Sequence, residues 1–474
     1  MGNILNKALE RGETDEILVN MARQRFSNYR DKSTGETLLI KACRINRPKT
    51  ALELIKRTPI RTLGVQNKTG DTALIWAIRN HMEDVALNLV CSRHSNPLAL
   101  NHAGETALSY AFHNHMEKVL INLVDLTAMN LDGLVIKACK KGMSQLALKL
   151  IELDPSLLTS HDARGTTALI MACYKKLSDV ALAIIATGRG INWMVNERNE
   201  TALLLACKNN MSDVAMRLIE SGDANASVIN KDGLTALMIA CSIKMGEVAL
   251  ALVKTGEAKE EYVYNKKTAL MLACNNGLEE VALEMLKAGR CDGEVEVGGM
   301  KYINVATKRG QTALSLACQH NLKEVAMQLL EMGAMWTATM STIDSPLIWA
   351  CKHGMKRVSI KLLEKNMCNV FKKDEFGNTA RYYTLKHGKR MEPVLLKIDQ
   401  ILKDQVGPRV SYRIHKIKVG SNQCCICAME IDEQYALIGC GHSEICLKCI
   451  KHLRDRGSLC PICRLKFEDY VRVY

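Results

Sequence analysis

The chain has 474 residues, of which 47% are hydrophobic, 24% charged and only 4% aromatic, and its formal net charge is +14. That length exceeds a single globular domain, and the scarcity of aromatic residues and proline disfavours a β-sandwich or barrel. No run approaches about 18 consecutive apolar residues, so no membrane-spanning helix is expected. The 19 cysteines, an odd number in a long chain without a recognisable secretory signal, favour reduced thiols over a disulfide framework.

The first residues, MGNILNK, are similar to an N-myristoylation signal, with Gly2 after Met1 and a favourable Lys7. Asn6 stands where Ser or Thr is usual, and a single acyl chain would anchor the protein only marginally. We therefore expect no stable membrane attachment, and we assign residues 1–34 to an N-terminal cap for the repeats that follow.

A phrase of the form G-x-T-A-L-x-x-A-C recurs along the chain. The clearer copies are GETLLIKAC at Gly35, GDTALIWAI at Gly70, GETALSYAF at Gly104, GTTALIMAC at Gly165, NETALLLAC at Asn199, GLTALMIAC at Gly233, KKTALMLAC at Lys266 and GQTALSLAC at Gly310. Weaker copies begin at Gly133, Asp344 and Gly377. The Ala near the end of the phrase falls at positions 42, 77, 111, 138, 172, 206, 240, 273, 317 and 350. Successive copies are therefore 33 to 35 residues apart, except for one step of 27 and one of 44.

This period fits either ankyrin or tetratricopeptide repeats, so the local sequence decides. Each phrase supplies a turn residue, a Thr suited to cap a helix and apolar residues at helical spacing, and a second helical pattern such as EVALALV at Glu247 follows. The pattern resembles the ankyrin repeat, whose T-P-L-H-x-A phrase appears here as T-A-L-x-x-A, without the Pro and His. The resemblance implies an all-α ankyrin solenoid of ten or eleven helix-turn-helix repeats over residues 35–390.

Two steps break the period. The 27-residue step before Ala138 removes most of a turn, whereas the 44-residue step before Ala317 adds about ten residues within 290–310. The added segment is rich in Gly with β-forming residues on both sides, which predicts an enlarged hairpin finger. Fingers and the concave helix faces bind partners in ankyrin proteins, so the segment is either a partner contact or a tolerated surface insertion.

One column of the repeat is occupied by cysteine, directly after the aligned Ala. Its members are Cys43, Cys139, Cys173, Cys207, Cys241, Cys274, Cys318 and Cys351. Such a column either binds metal or packs helix on helix, and the apolar surroundings favour packing because buried thiols are inert.

The charge of the chain is concentrated at the junction that follows the repeats. Residues 352–418 contain 17 Lys+Arg and 6 Asp+Glu, which gives +11 of the total +14. Within the junction, 391–422, a helix is predicted from Glu392 with apolar residues at 395, 398 and 402, either as a cap on the last repeat or as a dimerising helix. A basic strand-like stretch, RVSYRIHKIKV, follows, and we expect a solvated linker rather than a nucleic-acid or lipid site because no binding motif accompanies it.

The remaining cysteine cluster lies between positions 424 and 463. With Cys424 and Cys427 as the first pair, the spacing is C-x2-C, x12, C-x-H, x3, C-x2-C, x10, C-x2-C, and Cys425 is left over because it would form a poorer C-x-C chelate. The eight predicted ligands are Cys424, Cys427, Cys440, His442, Cys446, Cys449, Cys460 and Cys463. Four such pairs suit two structural Zn²⁺ ions without an open position, whereas disulfides would need an oxidising compartment.

This ligand pattern resembles the RING finger, and residues 423–474 match it as a finger with a C-terminal tail. The resemblance implies interleaved pairs, with Cys424, Cys427, Cys446 and Cys449 on one zinc ion and Cys440, His442, Cys460 and Cys463 on the other. It also implies contacts to a ubiquitin-conjugating enzyme by residues at matching positions, namely Ile426, Leu453, Pro461 and Arg464. Arg464 occupies the place of a linchpin that binds both the conjugating enzyme and ubiquitin, for which its planar fork is suited.

The C-terminal tail contains Phe467, Val471 and Val473, which favour a short strand, and it ends at Tyr474. The tail resembles those of RING fingers that form homodimers, in which a terminal aromatic residue supports ubiquitin across the dimer. The alternative is a frayed terminus.

The combined resemblance implies a RING-type ubiquitin-protein ligase. Its array recruits a protein substrate, and its RING holds a ubiquitin-charged conjugating enzyme for transfer to lysine, without a covalent intermediate of its own. The alternative is a non-enzymatic ankyrin scaffold with a structural zinc domain. Reduced cysteines place the protein in the cytoplasm or nucleus, and arrays of this kind resemble those of large DNA viruses and intracellular bacteria, so a host cell is a further location.

Overall fold

The structure is a computed structural model. It describes residues 2–23, 29–126, 131–258, 263–265, 267–288, 296–297, 300–335, 345–365, 368–406, 435–437, 451 and 470–472. The chain divides into two compact units, residues 1–343 and 344–474.

The described chain is mostly helical, and its helices follow one another in pairs, which confirms the predicted all-α repeat architecture. The N-terminal pair is α1 (Gly2–Arg11) and α2 (Asp15–Ala22). The first helices of the repeats are α3 (Leu38–Arg44), α5 (Ala73–Arg79), α7 (Ala107–His113), α9 (Leu134–Lys141), α11 (Ala168–Tyr174), α13 (Ala202–Lys208), α15 (Ala236–Ser242), α17 (Ala269–Asn275), α19 (Ala313–Gln319), α21 (Pro346–Lys352) and α23 (Ala380–His387). The second helices are α4 (Pro48–Arg57), α6 (Glu83–Cys91), α8 (Glu117–Leu126), α10 (Ser144–Leu153), α12 (Ser178–Ala186), α14 (Ser212–Glu220), α16 (Gly246–Thr255), α18 (Glu279–Lys287), α20 (Lys323–Glu331), α22 (Lys356–Glu364) and α24 (Glu392–Val406).

Short strands form three antiparallel pairs among the described residues. They are β1 (Val263–Tyr264) with β2 (Lys267–Thr268), β3 (Glu296–Val297) with β4 (Met300–Lys301), and β5 (Tyr435–Leu437) with β6 (Tyr470–Arg472). Single turns of 3-10 helix span Ile60–Thr62, Pro155–Thr159, Tyr302–Asn304 and Gly388–Met391.

The Thr of the repeated phrase fixes where eight of the eleven described first helices begin. In α5, the Thr72 hydroxyl accepts a hydrogen bond from the backbone N–H of Ile75 at 3.2 Å. The same bond is present at Thr37, Thr106, Thr167, Thr201, Thr235, Thr268 and Thr312. Because each cap satisfies a backbone donor that the helix cannot pair, it stabilises the helix by about 1 kcal/mol.

Small side chains let the first helices pack closely on one another. The aligned Ala is fully buried in all ten phrases that carry it, and the eight cysteines of the adjacent column are also buried. Burial raises the pKa of the thiols to about 12 at Cys43, Cys139, Cys207, Cys274 and Cys351. These thiols are protonated at neutral pH, as expected for packing residues and not for metal ligands.

A ladder of asparagines joins neighbouring repeats in the first unit. Asn80 donates from its side chain to the carbonyl of Cys43 at 2.6 Å, and Asn114 donates to the carbonyl of Ile78 at 2.7 Å. Asn209 and Asn276 repeat the contact with the carbonyls of Cys173 and Cys241, both at 2.8 Å. Each amide satisfies a carbonyl at the end of the preceding first helix, where the helix leaves acceptors unpaired.

The two irregular steps have different structural consequences. At the 27-residue step, α8 packs on α10, and the Glu117 carboxylate accepts a hydrogen bond from the Leu146 N–H at 2.9 Å. Among the described residues, however, α7 and α9 make few contacts, unlike the other neighbouring first helices of this unit. At the 44-residue step, β3 pairs with β4 through Val297 and Met300, which confirms a hairpin in the insertion, and Tyr302 after it is buried.

The helix predicted in the junction is present as α24 and lies against the last helices of the array, as a cap would. Val394 and Ile398 of α24 are fully buried, whereas Leu395 and Leu402 are half-buried, so of the three apolar residues that the prediction named, Ile398 is the most deeply buried. Met391, Val394 and Ile398 are three and four residues apart and share one face of the helix. The α24 helix packs on α22 and α23, and it therefore takes the position of a second helix after α23.

The N-terminal segment packs on the first repeat. Lys41, itself buried, donates to the side chain of Asn6 at 2.7 Å and forms an ion pair with Glu10. The hydrogen bond from Lys41 and its charge hold the pKa of Glu10 below its usual value. Asn6, which departs from the myristoylation pattern, therefore has a structural role, while acylation of Gly2 stays a prediction. Within the described parts of the chain, no helix is long and apolar enough to cross a membrane.

The turns before the first helices are built around an Asn or Asp side chain. The side-chain oxygen Oδ1 of Asn67 accepts hydrogen bonds from the backbone N–H groups of Thr69 and Asp71 at 3.0 and 2.8 Å. Asn101 and Asn196 repeat this pattern, and Asp162 and Asp374 supply a carboxylate in the same place. The side chain thus replaces backbone partners in a tight turn that ends at the helix cap.

Replacing Gly70 with Ala should destabilise the array more than replacing Gly104 with Ala. Both glycines have positive φ, of 80° and 76°, which costs a side-chain-bearing residue about 1 kcal/mol. A Cβ at Gly70 would also lie 2.8 Å from the Cα of Asn101, whereas a Cβ at Gly104 meets nothing within 4 Å, so overpacking adds about 1–3 kcal/mol only at Gly70. Urea unfolding followed by circular dichroism measures both, and equal costs would contradict the close approach.

Replacing Asp162 with Asn should reduce the acid sensitivity of the array. Burial raises the pKa of Asp162, but hydrogen bonds from the backbone N–H groups of Thr166 and Arg164 outweigh it, and the pKa lies below its usual value. The ionised carboxylate therefore stabilises the turn above about pH 4, and this contribution is lost as the pH falls through the lowered pKa. An Asn at this place, as at Asn101 and Asn196, does not titrate. We expect a lower urea midpoint for Asp162→Asn at pH 7 and a smaller deficit at pH 3; the same deficit at both pH values would contradict the role of the charge.

Candidate functional site

The predicted zinc ligands and the predicted conjugating-enzyme contacts lie outside the described residues. This applies to Cys424, Cys427, Cys440, His442, Cys446, Cys449, Cys460 and Cys463, and to Ile426, Leu453, Pro461 and Arg464. Their assignments therefore stay predictions.

The described residues around these positions include one strand pair. β5 pairs antiparallel with β6, with Ala436 opposite Val471, which confirms the strand predicted at Val471 and gives it a partner in the same chain. The 32 residues between the paired strands, 438–469, contain six of the eight predicted ligands. The strand pairing therefore brings together the two ends of a segment that contains six of the eight predicted zinc ligands.

The donor set itself fits structural zinc. Seven thiols and one imidazole provide the soft sulfur-rich coordination that Zn²⁺ prefers, and eight donors match two tetrahedral sites. Elsewhere, in the part of the chain that the structure describes, no group of three or more His, Cys, Asp or Glu side chains is arranged to hold a metal ion.

An aromatic and charged cluster lies on α5 and α7, and we call Trp76, Arg79 and Tyr110 the Arg79 cluster. The Arg79 guanidinium carbon is 4.3 Å from the centre of the Trp76 ring and 5.4 Å from that of Tyr110. Asp71 lies 3.7 Å from the same guanidinium, so the cation has both aromatic and acidic partners. These contacts hold Arg79 in place at the helix surface.

The Arg79 cluster borders a cavity of about 360 Å³. Its lining residues are Arg79, Glu105, Tyr110, His113 and Asn114, so it presents a guanidinium, a carboxylate, a phenol, an imidazole and an amide. Because Arg79 and Glu105 carry opposite charges, the cavity suits a polar ligand but favours neither an anionic nor a cationic one. The cavity adjoins α7, where the stacking of first helices is irregular.

A related cluster lies in the second unit, and we call Trp349, Lys352, Phe376 and Tyr383 the Lys352 cluster. Lys352 Nζ is 4.5 Å from the centre of the Trp349 ring, 5.9 Å from that of Phe376 and 5.8 Å from that of Tyr383. The Tyr383 hydroxyl donates to the Asp374 carboxylate at 2.5 Å, which ties the ring to the preceding turn. The lysine thus has three aromatic side chains as neighbours.

Sequence reasoning missed both clusters. In each one, a Trp directly precedes the aligned Ala, a cation follows that Ala by two residues, and a Tyr occupies the Trp position of the next repeat. The signal was therefore present in IWAIR and IWACK, two of the few tryptophan-containing segments of the chain. It becomes recognisable only when the repeats are aligned and adjacent first helices are known to pack.

Family models match both parts of the chain. The model for ankyrin repeats (three copies) matches residues 134–227, 176–261, 203–298, 252–340 and 270–374, which together cover 134–374, just over half of the chain. The chain therefore belongs to the ankyrin-repeat family. The model for a zinc finger of C3HC4 type, the RING finger, matches residues 420–470, so a RING finger of the zinc-binding kind follows the array.

Similarity to individual proteins is short. The chain is 26% identical over 55 residues to a putative E3 ubiquitin-protein ligase XBAT35 of Arabidopsis thaliana, which is 12% of each chain. It is 34% identical over 50 residues to a probable E3 ubiquitin-protein ligase XBOS34 of Oryza sativa subsp. japonica, 10% of each chain. The chain thus spans about a tenth of the length of the curated relatives it matches. Among solved structures, the ankyrin repeat domain of Bcl-3 is 21% identical, with a TM-score of 0.31, over 50% of this chain and 99% of that one.

Replacing Cys425 with Ser should leave the zinc content of the purified protein unchanged, whereas replacing Cys424 with Ser should lower it. The C3HC4 order is the same with either cysteine in the first place, so the choice rests on the better C-x2-C chelate. Since structural zinc contributes about 10–16 kcal/mol to folding, loss of one ligand should also destabilise the finger. Zinc per chain by mass spectrometry and thermal unfolding measure the two effects, and the reverse pattern would assign Cys425 as the ligand.

Proposed function

We propose that this protein is a RING-type ubiquitin-protein ligase that acts by positioning. The array binds the protein substrate, and the RING finger binds a ubiquitin-conjugating enzyme and orients its ubiquitin thioester toward a substrate lysine. The observation that supports this most strongly is the C3HC4 match over 420–470 on a chain whose predicted enzyme contacts all agree with the family pattern. The two short relatives, both described as E3 ubiquitin-protein ligases, support the same class.

In this proposal, two Zn²⁺ ions have a structural role. Cys424, Cys427, Cys446 and Cys449 hold one ion, and Cys440, His442, Cys460 and Cys463 hold the other. Ligation by these residues would fix the two loops that present the enzyme-binding residues, with the protein supplying all the donors. The β5–β6 pair supports this arrangement because it joins the chain on both sides of six ligands.

Four side chains of the finger then bind the conjugating enzyme. Ile426 and Leu453 offer apolar contacts to the conjugating enzyme, and Pro461 shapes the turn beside them. Arg464 donates hydrogen bonds to both the enzyme and its ubiquitin, which limits the motion of the thioester and favours attack by a lysine.

The remaining assignments concern assembly and location. A homodimer formed through the C-terminal tail, in which Tyr474 supports ubiquitin held by the other copy, is part of the proposal. We place the protein in the cytoplasm because the cysteine-rich finger and the buried thiol column require reduced cysteines. Nucleic acid and membranes are not among the proposed partners.

Replacing Arg464 or Ile426 with Ala should reduce ubiquitin-chain formation by at least about tenfold, since a hydrogen bond from a charged donor and a buried Ile side chain each contribute about 1.5–3 kcal/mol. The assay combines the purified full chain with ubiquitin, the activating enzyme and a panel of conjugating enzymes. Zinc content should stay at the wild-type value, which shows that the finger remains folded. Cys425→Ser serves as the control because the same finger is changed at a residue with no proposed contact.

The non-enzymatic scaffold makes the opposite prediction for this assay. If the wild-type chain forms no ubiquitin chains with any conjugating enzyme, or if both alanine variants retain full activity, the ligase proposal is wrong.

A further inference from the structure

The Lys352 cluster lies in the most basic part of the array. Residues 352–390 contain 11 Lys+Arg and 3 Asp+Glu. Two of the three acidic side chains are already engaged, because Glu364 pairs with Lys397 at 2.8 Å and Asp374 accepts hydrogen bonds from Tyr383 and from its own turn. The surface around the cluster therefore has an excess of positive charge.

Lys352 differs from equivalent cations elsewhere in the array. Arg44, Arg79 and Lys208 each pair with an acidic side chain eight residues earlier, at 2.7, 3.7 and 3.1 Å. Among the described residues, no carboxylate lies within 4.0 Å of Lys352 Nζ, whose neighbours are aromatic rings. Asp344 occupies the corresponding sequence position and lies outside the described residues.

The turn beside Lys352 exposes two large apolar side chains. Phe371 is 50% exposed and Phe376 is 69% exposed, whereas Phe112, the third described phenylalanine, is buried. The turn holds both residues in place, since the backbone N–H of Phe371 donates to Asn369 at 2.9 Å and that of Phe376 donates to Asp374 at 3.0 Å. Aromatic side chains are enriched at protein–protein interfaces, so these two exposed phenylalanines on one hydrogen-bonded turn offer apolar contacts to a partner.

We propose that the Lys352 cluster, together with Phe371, is a docking site for an acidic peptide segment that carries an aromatic side chain. A carboxylate of the segment pairs with Lys352, and its aromatic side chain packs on Phe371 and Phe376. The aromatic walls and the Tyr383–Asp374 bond hold the site in one arrangement before binding, which lowers the entropic cost of association. Only one part of this inference rests on the proposed function, namely that the acidic segment belongs to a ubiquitination substrate.

The charges in the chain favour this occupant over others. The basic stretch 407–422 contains four Lys+Arg and no acidic residue, and a second copy would present the same basic surface, so both are repelled. A continuous polyanion such as nucleic acid or an anionic bilayer would meet the exposed Glu375 beside Phe376. A peptide can place single carboxylates near the lysines and avoid that side chain.

Binding of labelled peptides to the full chain tests the proposal. The probe is a fluorescein-labelled dodecapeptide with a central Phe flanked by Glu and Asp, and fluorescence anisotropy measures its Kd. We expect it to bind at least tenfold more tightly than the same peptide with Gly for Phe or with Lys for the acidic residues. Equal affinities for these three peptides would overturn the proposal, as would tighter binding to vesicles with 30% phosphatidylserine or to a single-stranded RNA dodecamer.

Matched variants locate the site. Lys352→Glu and Phe376→Ala should each weaken binding by at least tenfold, while Lys140→Glu should leave it within twofold. Lys140 is exposed and occupies the same repeat position as Lys352, but no aromatic residue precedes its aligned Ala. Asp344→Asn should bind at least as tightly as wild type, since it removes a negative charge. Equal losses for Lys352→Glu and Lys140→Glu, or weaker binding by Asp344→Asn, would contradict the site.

The outcome is independent of ligase activity. Arg464→Ala should bind the peptide with wild-type affinity even where it forms no ubiquitin chains, so failure of the ligase proposal and failure of the docking proposal give different results. Thermal unfolding of each variant accompanies the titrations. If Lys352→Glu unfolds, Lys352→Gln replaces it, and full retention of peptide affinity by that folded variant would overturn the role of the charge.

Discussion

Close packing between neighbouring first helices is the constraint on which the rest of this structure depends. A short helix of seven or eight residues is unstable alone, and within each unit the described first helices, apart from α7 and α9, are stabilised by burial against the next. The approach is possible because a fully buried Ala occupies the contact in ten repeats, followed in eight of them by a buried Cys. A larger side chain in place of the aligned Ala would separate the helices.

This packing leaves the surface of the first helices free to vary. Residues directly before the aligned Ala and two residues after it lie beside their counterparts in the next repeat. In most repeats these positions carry unrelated side chains, but near Trp76 and Trp349 they combine into a cation held between aromatic rings. The Arg79 cluster has an acidic partner in Asp71, whereas the basic surroundings of Lys352 favour an acidic ligand. One architecture thus supports sites of different selectivity.

The sequence was sufficient for features set by local chemistry and by the repeat period. These are the Thr caps, the buried cysteine column and the hairpin in the long insertion, and the structure agrees with them. The asparagine ladder and both aromatic clusters were missed, because their partners lie about 35 residues away and only the packed array brings them together. The burial of Val394 in α24 was not predicted for a related reason, since contact with the preceding helices decides which apolar residues of this helix are covered. For the zinc finger, spacing identified the donor set, and the choice between Cys424 and Cys425 remains a prediction.

In the proposed function, the two parts of the chain serve one reaction. The array holds a substrate, and the finger promotes transfer of ubiquitin to it. Single-turnover discharge of ubiquitin from a charged conjugating enzyme to free lysine tests the finger's part without any knowledge of the substrate. The account predicts that the full chain accelerates this discharge and that removal of zinc by a chelator abolishes the acceleration. A discharge rate that is the same with and without the full chain, for every conjugating enzyme tried, would contradict it.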